Sequence, residues 1–499
     1  MIDIFKRRDF FGIAVFAAAL GILIWYFAAK LGIFTKLGYQ SDLYTHIQIC
    51  RGWLQGRPLM HENCYGYHGK LHNYFFDLAM GPFVLKWGAT GIFIVQFLLY
   101  VWALWYTFPV LYKKSDEFNH KLLVAVFYIA VFCGPVSFWL YDDPDYGFHT
   151  EMLYVPLGFI FTLSLYKKQH WVSAVAALLM VSVKEDGAVL VACLHLFYLA
   201  LQFTAKNITT KRWLLQSLLW GGVYVVVFVA GIIYLKYQND FGYDRLSESF
   251  ERIGLQTAQA KRNYFLPIFK SFGLLLLPFA AVLLFMRVTN YKVWLWWLAF
   301  MLPVVAVNLV SGFVYFPAKY FSLVWVPRFS LTFAQFLSMG SLCLLLFSRA
   351  WFRPAFVCFV AAFSVAFVLF NRQEKLLQSE RGYSFNYAAI KVFKEKHPHT
   401  YYLHWDSVRK VAAVLPYDYP VSPPYKLFGY FHKHDVIWTN KIFVAWQKPR
   451  MIICDEGNIE NVIPDQLLQH PDSVVTPNMR YYFEAEDRHY LIEAGVTDK

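Results

Sequence analysis

The sequence predicts an all-α polytopic membrane bundle of about eleven transmembrane helices, followed by a small α/β soluble C-terminal domain. Of the 499 residues, 58% are hydrophobic and only 16% are charged, and the mean hydropathy is +0.39. A water-soluble chain carries roughly 25% charged residues, so a soluble globular protein is excluded. Long apolar blocks recur from residue 10 to residue 371. Each block is close to the ~20 residues that cross a bilayer.

The N-terminus predicts a first span that is retained in the mature protein. Basic residues at positions 6–8 precede an apolar run from Phe10 to Ala29, which is too long for the hydrophobic part of a signal peptide. Because loops rich in Lys and Arg stay in the cytoplasm, the N-terminus is predicted to be cytoplasmic. The net charge of +13 follows from basic residues at the ends of apolar blocks. These positions indicate how the spans are oriented in a cell membrane (inner or plasma). The predicted partner is therefore the lipid bilayer and not nucleic acid.

The later basic clusters order the remaining spans, because consecutive cytoplasmic clusters are joined by an even number of crossings. The apolar stretch from Trp171 to Phe203 lies between two such clusters. As one helix it would measure roughly 50 Å, well beyond the hydrocarbon thickness. It is therefore predicted to form two short spans with Lys184-Glu185-Asp186 at the outer turn. Lys30 and Lys36 fall on the outer side against the charge rule, and their long side chains are able to snorkel to the interface.

The composition changes after residue 371, and residues 372–499 are predicted to form a soluble extracytoplasmic domain. Residues 1–371 are the predicted transmembrane helical domain, with a long first outer loop at residues 31–73. In the C-terminal part the hydrophobic stretches shorten to strand length, as in Tyr401 to His404, Val436 to Trp438 and Met451 to Cys454.

Ionisable side chains point to a functional site, because at membrane depth they are costly unless they face a wet cavity or a partner. Three groups of them converge on the predicted outer side. The first group lies in the first outer loop and includes Asp42 and His72. The second runs from Asp142 to Glu151, and the third is Lys184-Glu185-Asp186.

Each group also has an interpretation that involves no chemistry. The polar residues of the first loop fit a solvated outer face, and Pro144 and Gly147 fit a hydrated turn. Lys184-Glu185-Asp186 fits an ion pair that caps two helix ends. Function and capping are compatible, so both interpretations stay open.

Carboxylates beside a lysine suit two chemistries. One is general-base activation of an acceptor hydroxyl, and the other is binding of a divalent cation, Mg²⁺ or Mn²⁺, against a phosphate leaving group. The candidate ligands of such a cation are Asp142 and Asp143. Further candidate catalytic residues are Asp145, His149, Glu151 and Glu185. Candidates for binding the substrate and its phosphate are Arg51, Arg57, His72, Lys184, Asp186, Lys319 and Arg328.

Two of these segments carry a resemblance to a known family. Gly147-Phe148-His149-Thr150-Glu151 and Lys184-Glu185-Asp186-Gly187-Ala188 resemble the D-F-H-x-E and K-E-D-A signatures of a family of bacterial and archaeal predicted multi-pass membrane proteins with a domain of unknown function. Gly147 stands where that family usually has Asp, so that acid is missing unless Asp143 or Asp145 replaces it. The family is similar in layout to the GT-C glycosyltransferases.

The resemblance implies transfer of a sugar from a polyprenyl-phosphate carrier to an outer-face acceptor. In the GT-C layout the acid of the first outer loop is the usual catalytic base, which corresponds here to Asp42. A membrane transporter or lipid-carrier translocase without covalent chemistry remains the alternative, although no pair of matching halves is evident in the sequence. A third interpretation is a scaffold whose C-terminal part binds cell-wall partners.

Overall fold

The structure is a computed structural model in which helices predominate and strands are few. The residues that it describes are 9–35, 37, 39, 42–63, 66–70, 72–114, 117–133, 148–238, 258–259, 262, 266, 291–312, 335–347, 400–402, 405–423, 427–436, 451–455, 473–475, 479–483, 490, 493 and 497–498.

Two short helices lie between the first two long ones. The helices of this half are α1 (Phe10–Thr35), α2 (Asp42–Gly52), α3 (Phe75–Trp87), α4 (Ala89–Lys113) and α5 (Phe118–Cys133). A two-stranded antiparallel hairpin, β1 (His61–Glu62) and β2 (Gly66–Tyr67), separates α2 from α3. With 11 and 13 residues, α2 and α3 are roughly 17 and 20 Å long, too short to cross the hydrocarbon. They pack against each other, so α2, which lies within the predicted first outer loop, is held by the helix that follows that loop.

The second half of the bundle contains a helical hairpin at the position that the length argument indicated. Its helices are α6 (Tyr154–Tyr166), α7 (His170–Val183), α8 (Gly187–Thr204), α9 (Thr210–Gln238), α10 (Tyr291–Gly312) and α11 (Gln335–Phe347). The turn at residues 184–186 separates α7 from α8, so this stretch forms two helices as predicted, and α8 is the one long and apolar enough to cross a membrane. Gly187 begins α8 where a Cβ would lie 2.2 Å from the carbonyl oxygen of Met180, so a larger residue is excluded from this turn.

Among the described helices, four are long and apolar enough to cross a membrane. They contain the segments Phe10–Gly32, Ala89–Lys113, Gly187–Thr204 and Thr210–Gln238. Side chains along α9, including Leu215, Leu218 and Val226, are exposed, as expected of a helix that faces lipid. The interior is rich in aromatic rings, and those of Phe108 and Tyr128 meet edge to face with centroids 5.3 Å apart. The chain therefore has the helices of a membrane protein.

The described C-terminal residues form a mixed sheet with one helix, α12 (Trp405–Val414). The strands are β3 (Thr400–Tyr402), β4 (Pro420–Ser422), β5 (Asp435–Val436), β6 (Met451–Asp455), β7 (Ser473–Val475), β8 (Met479–Phe483) and β9 (Thr497–Asp498). Their order in the sheet is β5-β4-β6-β8-β7-β3-β9, with β6 and β8 antiparallel and β4 parallel to both of its neighbours. Strands β3, β5 and β6 overlap the three stretches that the sequence predicts.

The C-terminal sheet packs against helix α2. The Gln48 side chain donates a hydrogen bond to the carbonyl of Val436 in β5 over 2.6 Å, and the Asn63 amide donates to the same oxygen over 3.1 Å. The ring of Tyr44 meets that of Phe428 edge to face, with centroids 5.1 Å apart. A helix of the predicted outer loop is thus held on one side by the C-terminal sheet and on the other by the bundle.

Candidate functional site

A buried histidine and aspartate join the two short helices. His46 lies in α2 and Asp77 in the first turn of α3, with exposed fractions of 2% and 0%. His46 Nδ1 is 2.5 Å from Asp77 Oδ2. The His46 ring also meets the ring of Phe148 edge to face, with centroids 5.1 Å apart. The contact therefore links α2, α3 and the segment that precedes α6.

The pKa of His46 is raised by its neighbours. Burial lowers the pKa of this imidazole, but the carboxylates of Asp77, Asp42 and Glu151 together raise it by more. Asp42 precedes His46 by four residues on α2, which places the two side chains on the same helix face. The net shift keeps His46 protonated over a wider pH range than a free histidine.

A second ion pair connects the segment before α6 to the turn between α7 and α8. Lys184 Nζ lies 2.6 Å from Glu151 Oε1, and His149 Nδ1 lies 3.7 Å from the other oxygen of the same carboxylate. The carbonyl of Glu151 accepts a hydrogen bond from Gln335 Nε2 over 3.1 Å. Glu151 is thus held by groups from three separate parts of the chain.

The other two residues of that turn also have partners. His72 Nδ1 lies 2.8 Å from Glu185 Oε1, and the Tyr154 hydroxyl donates a hydrogen bond to Asp186 Oδ1 over 2.5 Å. Burial raises the pKa of Asp186 to about 6, with Lys184 opposing the shift. Asp186 is therefore able to exchange a proton near neutral pH.

The ring of Tyr74 brings the histidines of the first outer loop together. Its centroid lies 4.9 Å from those of His46 and His72 and 5.3 Å from that of His68, on which it stacks. The Tyr74 ring therefore lies against both the His46–Asp77 pair and the His72–Glu185 pair. We call this assembly the outer cluster, and its members are Asp42, His46, His72, Asp77, His149, Glu151, Lys184, Glu185 and Asp186.

Most of the described candidates belong to the outer cluster. Asp42, His72, His149, Glu151, Lys184, Glu185 and Asp186 belong to it. Arg57 lies in a partly exposed turn after α2. Asp142, Asp143, Asp145, Lys319 and Arg328 lie outside the described residues.

Arg51, a candidate for binding phosphate, lies where α2 meets the C-terminal part of the chain. Its guanidinium donates hydrogen bonds to the carbonyl oxygens of His432, over 3.3 Å, and His434. Only 6% of Arg51 is exposed. Its side chain therefore attaches α2 to the C-terminal part of the chain. This role depends on a partner about 380 residues away, which spacing in the sequence does not indicate.

His46 belongs to the polar first outer loop but was not among the candidate site residues, and Asp77 was missed altogether. It stands alone at the start of an apolar helix, whereas the predicted groups were recognised by clustered charges. The available signal was a lone carboxylate at the start of a helix, a few residues after the polar and aromatic segment His72-Asn73-Tyr74.

The divalent cation that the sequence suggests stays a prediction. Among the residues that the structure describes, no group of three or more His, Cys, Asp or Glu side chains is arranged to hold a metal ion. The candidate ligands Asp142 and Asp143 lie outside that part of the chain.

Comparisons of the chain with protein-family models, with curated proteins and with solved structures find no match. Function is therefore inferred from the chemistry and geometry of the outer cluster.

Substituting Asp77 tests the buried contact. Asp77→Asn removes the charge that offsets burial of the His46 imidazolium, and breaking a buried pair typically costs about 3–5 kcal/mol. We expect a lower midpoint of thermal unfolding, measured on detergent-purified protein at pH 6. The matched control is Glu117→Gln, which removes a carboxylate that is 65% exposed, and it should leave the midpoint unchanged.

The same pair predicts a pH dependence of stability. Because the pKa of His46 is raised in the folded chain, its contribution is fully present below the unfolded pKa of about 6.5 and is lost as pH rises through the folded pKa. This decline should be present in the wild type and absent in Asp77→Asn. Equal midpoints and equal pH profiles for the two proteins would contradict the assignment.

Proposed function

We propose that this chain is an integral-membrane glycosyltransferase that moves a sugar from a polyprenyl-phosphate carrier to an outer-face acceptor. The observation that carries the proposal is the outer cluster, in which carboxylates, imidazoles and an ammonium meet at the ends of apolar helices. The proposal includes a GT-C-like bundle of about eleven transmembrane helices. It places the N-terminus in the cytoplasm and the C-terminal domain outside the cell membrane.

The reaction needs a base on the acceptor side. As the bond between the sugar's anomeric carbon and the carrier phosphate breaks, the acceptor oxygen forms a new bond to that carbon and loses its proton. In the proposal Asp42 takes this proton. Asp42 is the first residue of α2 and is only partly buried. The helix N-terminus favours its ionised form, which is the form that a general base requires.

The reaction also needs a cation on the leaving-group side, because the released carrier phosphate gains negative charge. In the proposal Lys184 supplies it, since an ammonium near a departing phosphate stabilises the developing charge. Glu151, 2.6 Å away, then holds the Lys184 side chain in place.

His46 and Asp77 act in the proposal as positioning residues. The buried contact between them fixes the face of α2 that carries Asp42, and no bond to the substrate is assigned to either residue. Four of the described helices are long and apolar enough to cross a membrane. This supports a location in the bilayer, in which a lipid-linked donor dissolves.

One observation favours the alternative of a transporter or lipid-carrier translocase without covalent chemistry. His195 lies within α8, and its Nδ1 is 3.0 Å from the hydroxyl of Tyr224 in α9. An ionisable residue inside a spanning helix is typical of a translocation path. Uptake of a substrate into vesicles without covalent transfer would favour this alternative.

The proposed base is tested by sugar transfer. Wild-type protein in liposomes should transfer label from one member of a panel of radiolabelled polyprenyl-phosphate sugars to an acceptor in a cell-envelope extract. Asp42→Asn keeps the shape of the side chain but removes the base, and should lower the rate about 10²–10⁴-fold. The exposed control Glu117→Gln should retain the wild-type rate.

The outcome that would overturn the base assignment combines two results. These are no transfer by the wild type from any donor, and full cellular function of an Asp42→Ala variant.

The role of Lys184 is tested separately from its ion pair. Lys184→Met should lower kcat about 10²–10³-fold, the range seen when one group that stabilises transition-state charge is removed. Lys184→Arg retains the charge and should retain most of the activity. Rates and midpoints of thermal unfolding are measured on the same preparations. A Lys184→Met protein with a lower midpoint but unchanged kcat would show that this residue only caps the two helix ends.

A further inference from the structure

A short segment of the C-terminal part, residues 427–436, packs against the helices at the predicted outer side. It consists of successive turns that lead into strand β5. The amide of Phe431 donates a hydrogen bond to the carbonyl of Phe428 over 3.0 Å, and the amide of His434 donates to the carbonyl of Phe431 over 2.8 Å. Leu427, Phe428 and Phe431 are fully buried. The segment is therefore a packed element and not a free loop.

One face of α2 lies against this segment. Tyr44, Gln48 and Arg51 are spaced i, i+4 and i+7, which places their side chains on one side of a helix. All three contact residues 427–436, through one aromatic ring and three backbone carbonyls. His46 is two residues from both Tyr44 and Gln48, and two residues correspond to roughly 200° of rotation. Helix α2 is thus held on two opposite faces, by Asp77 through His46 and by this segment.

The same segment also contacts the chain before Asp42. A Cβ at Gly429 would lie 2.6 Å from Cδ2 of Leu37 and 3.3 Å from the hydroxyl of Tyr44, so a larger residue at position 429 would displace these side chains. Leu37 has a φ of +60°, a left-handed conformation that residues other than glycine rarely adopt. Such a conformation persists where the surrounding structure enforces it. Residues that precede and follow Asp42 in the sequence are thus held by one segment.

His432 extends this contact to two further places in the bundle. Its ring meets that of Phe34, near the end of α1, edge to face, with centroids 5.3 Å apart. Gly88, between α3 and α4, has a φ of +59°, and a Cβ there would overlap the His432 ring. The imidazole Nδ1 lies 2.8 Å from the carbonyl oxygen of Gly429. The segment is therefore fixed against α1, α2 and the junction of α3 with α4 at the same time.

We propose that residues 427–436 form a positioning clamp for Asp42, with Arg51 and Gly429 as its positioning residues. The inference rests on the proposed function, in which Asp42 is the base. A base must lie within hydrogen-bond reach of the proton that it takes, and a displacement of about 1 Å is able to cost 10²-fold in rate. The clamp contacts the chain on both sides of Asp42, on the face of α2 opposite to His46. The C-terminal part is then a component of the site and not an independent module.

The mobility of a spin label at position 42 tests the clamp without any sugar transfer. The label is attached to Asp42→Cys in the full chain, with the native cysteines replaced by alanine, and its spectrum is recorded in liposomes. Gly429→Val should shift the spectrum towards a more mobile label, because the added side chain displaces Leu37. The matched control is Gly222→Val, since a Cβ at Gly222 meets nothing within 4 Å. Identical spectra for Gly429→Val and its parent would overturn the proposal.

Sugar transfer separates a positioning role from a merely structural one. Arg51→Met removes the hydrogen bonds to the segment and, per folded molecule, should lower kcat about 10–10²-fold with little change in KM for the acceptor. A misplaced base affects the chemical step and not the binding of substrate. Arg409→Met, in the exposed part of α12, should retain both constants. An Arg51→Met protein with a lower midpoint of thermal unfolding but unchanged kcat would overturn the positioning role.

Hydrogen exchange of the unsubstituted protein keeps the test valid if Arg51→Met and Gly429→Val fail to fold. Peptides that contain residues 42–52 and 427–436 should exchange at similarly slow rates, because each covers the other. Fast exchange of residues 427–436 beside slow exchange of α2 would overturn the clamp. Matched slow exchange, with a label at position 42 that Gly429→Val releases, would support the clamp even in a protein that transfers no sugar, and that protein would contradict the proposed glycosyltransferase alone.

Discussion

The contact between His46 and Asp77 is the interaction on which the rest of the site depends. Two short helices, α2 and α3, lie between α1 and α4, and this buried contact fastens one to the other. Burying an imidazolium or a carboxylate alone costs free energy, and pairing the two offsets much of that cost. The pair therefore favours one register of α2 against α3, which in turn places Asp42, at the helix start, within the outer cluster.

The same constraint, that a buried polar group needs a partner, explains three further contacts in and around the outer cluster. Glu151 with Lys184, His72 with Glu185, and Tyr154 with Asp186 are each a buried or half-buried polar group that meets a partner from a distant segment. Apolar helices offer few positions for such groups, so the groups gather where helices end. The C-terminal part of the chain holds α2 from the other side through Gln48 and Arg51.

Sequence alone predicts the parts of this arrangement that depend on length and local charge. The hairpin of α7 and α8 follows from a stretch too long for one span, and the strand at Met451–Asp455 follows from a short apolar run between polar residues. Asp77 was missed because a single acid at the start of an apolar helix carries no clustered signal. The contacts of Arg51 with the carbonyls of His432 and His434 were not predicted because these partners are distant in sequence. Which histidine faces which carboxylate is a property of helix packing, which periodicity does not encode.

The central claim is that the acids and bases of the outer cluster lie at the extracellular ends of the helices, and its most direct test is labelling with a membrane-impermeant maleimide. Single-cysteine proteins Asp42→Cys and Glu185→Cys probe the cluster, and Lys168→Cys probes the exposed turn at the opposite end of α7. The account predicts that intact cells label positions 42 and 185, whereas position 168 reacts only after permeabilisation. Labelling of position 168 in intact cells, with positions 42 and 185 protected until the membrane is opened, would contradict it.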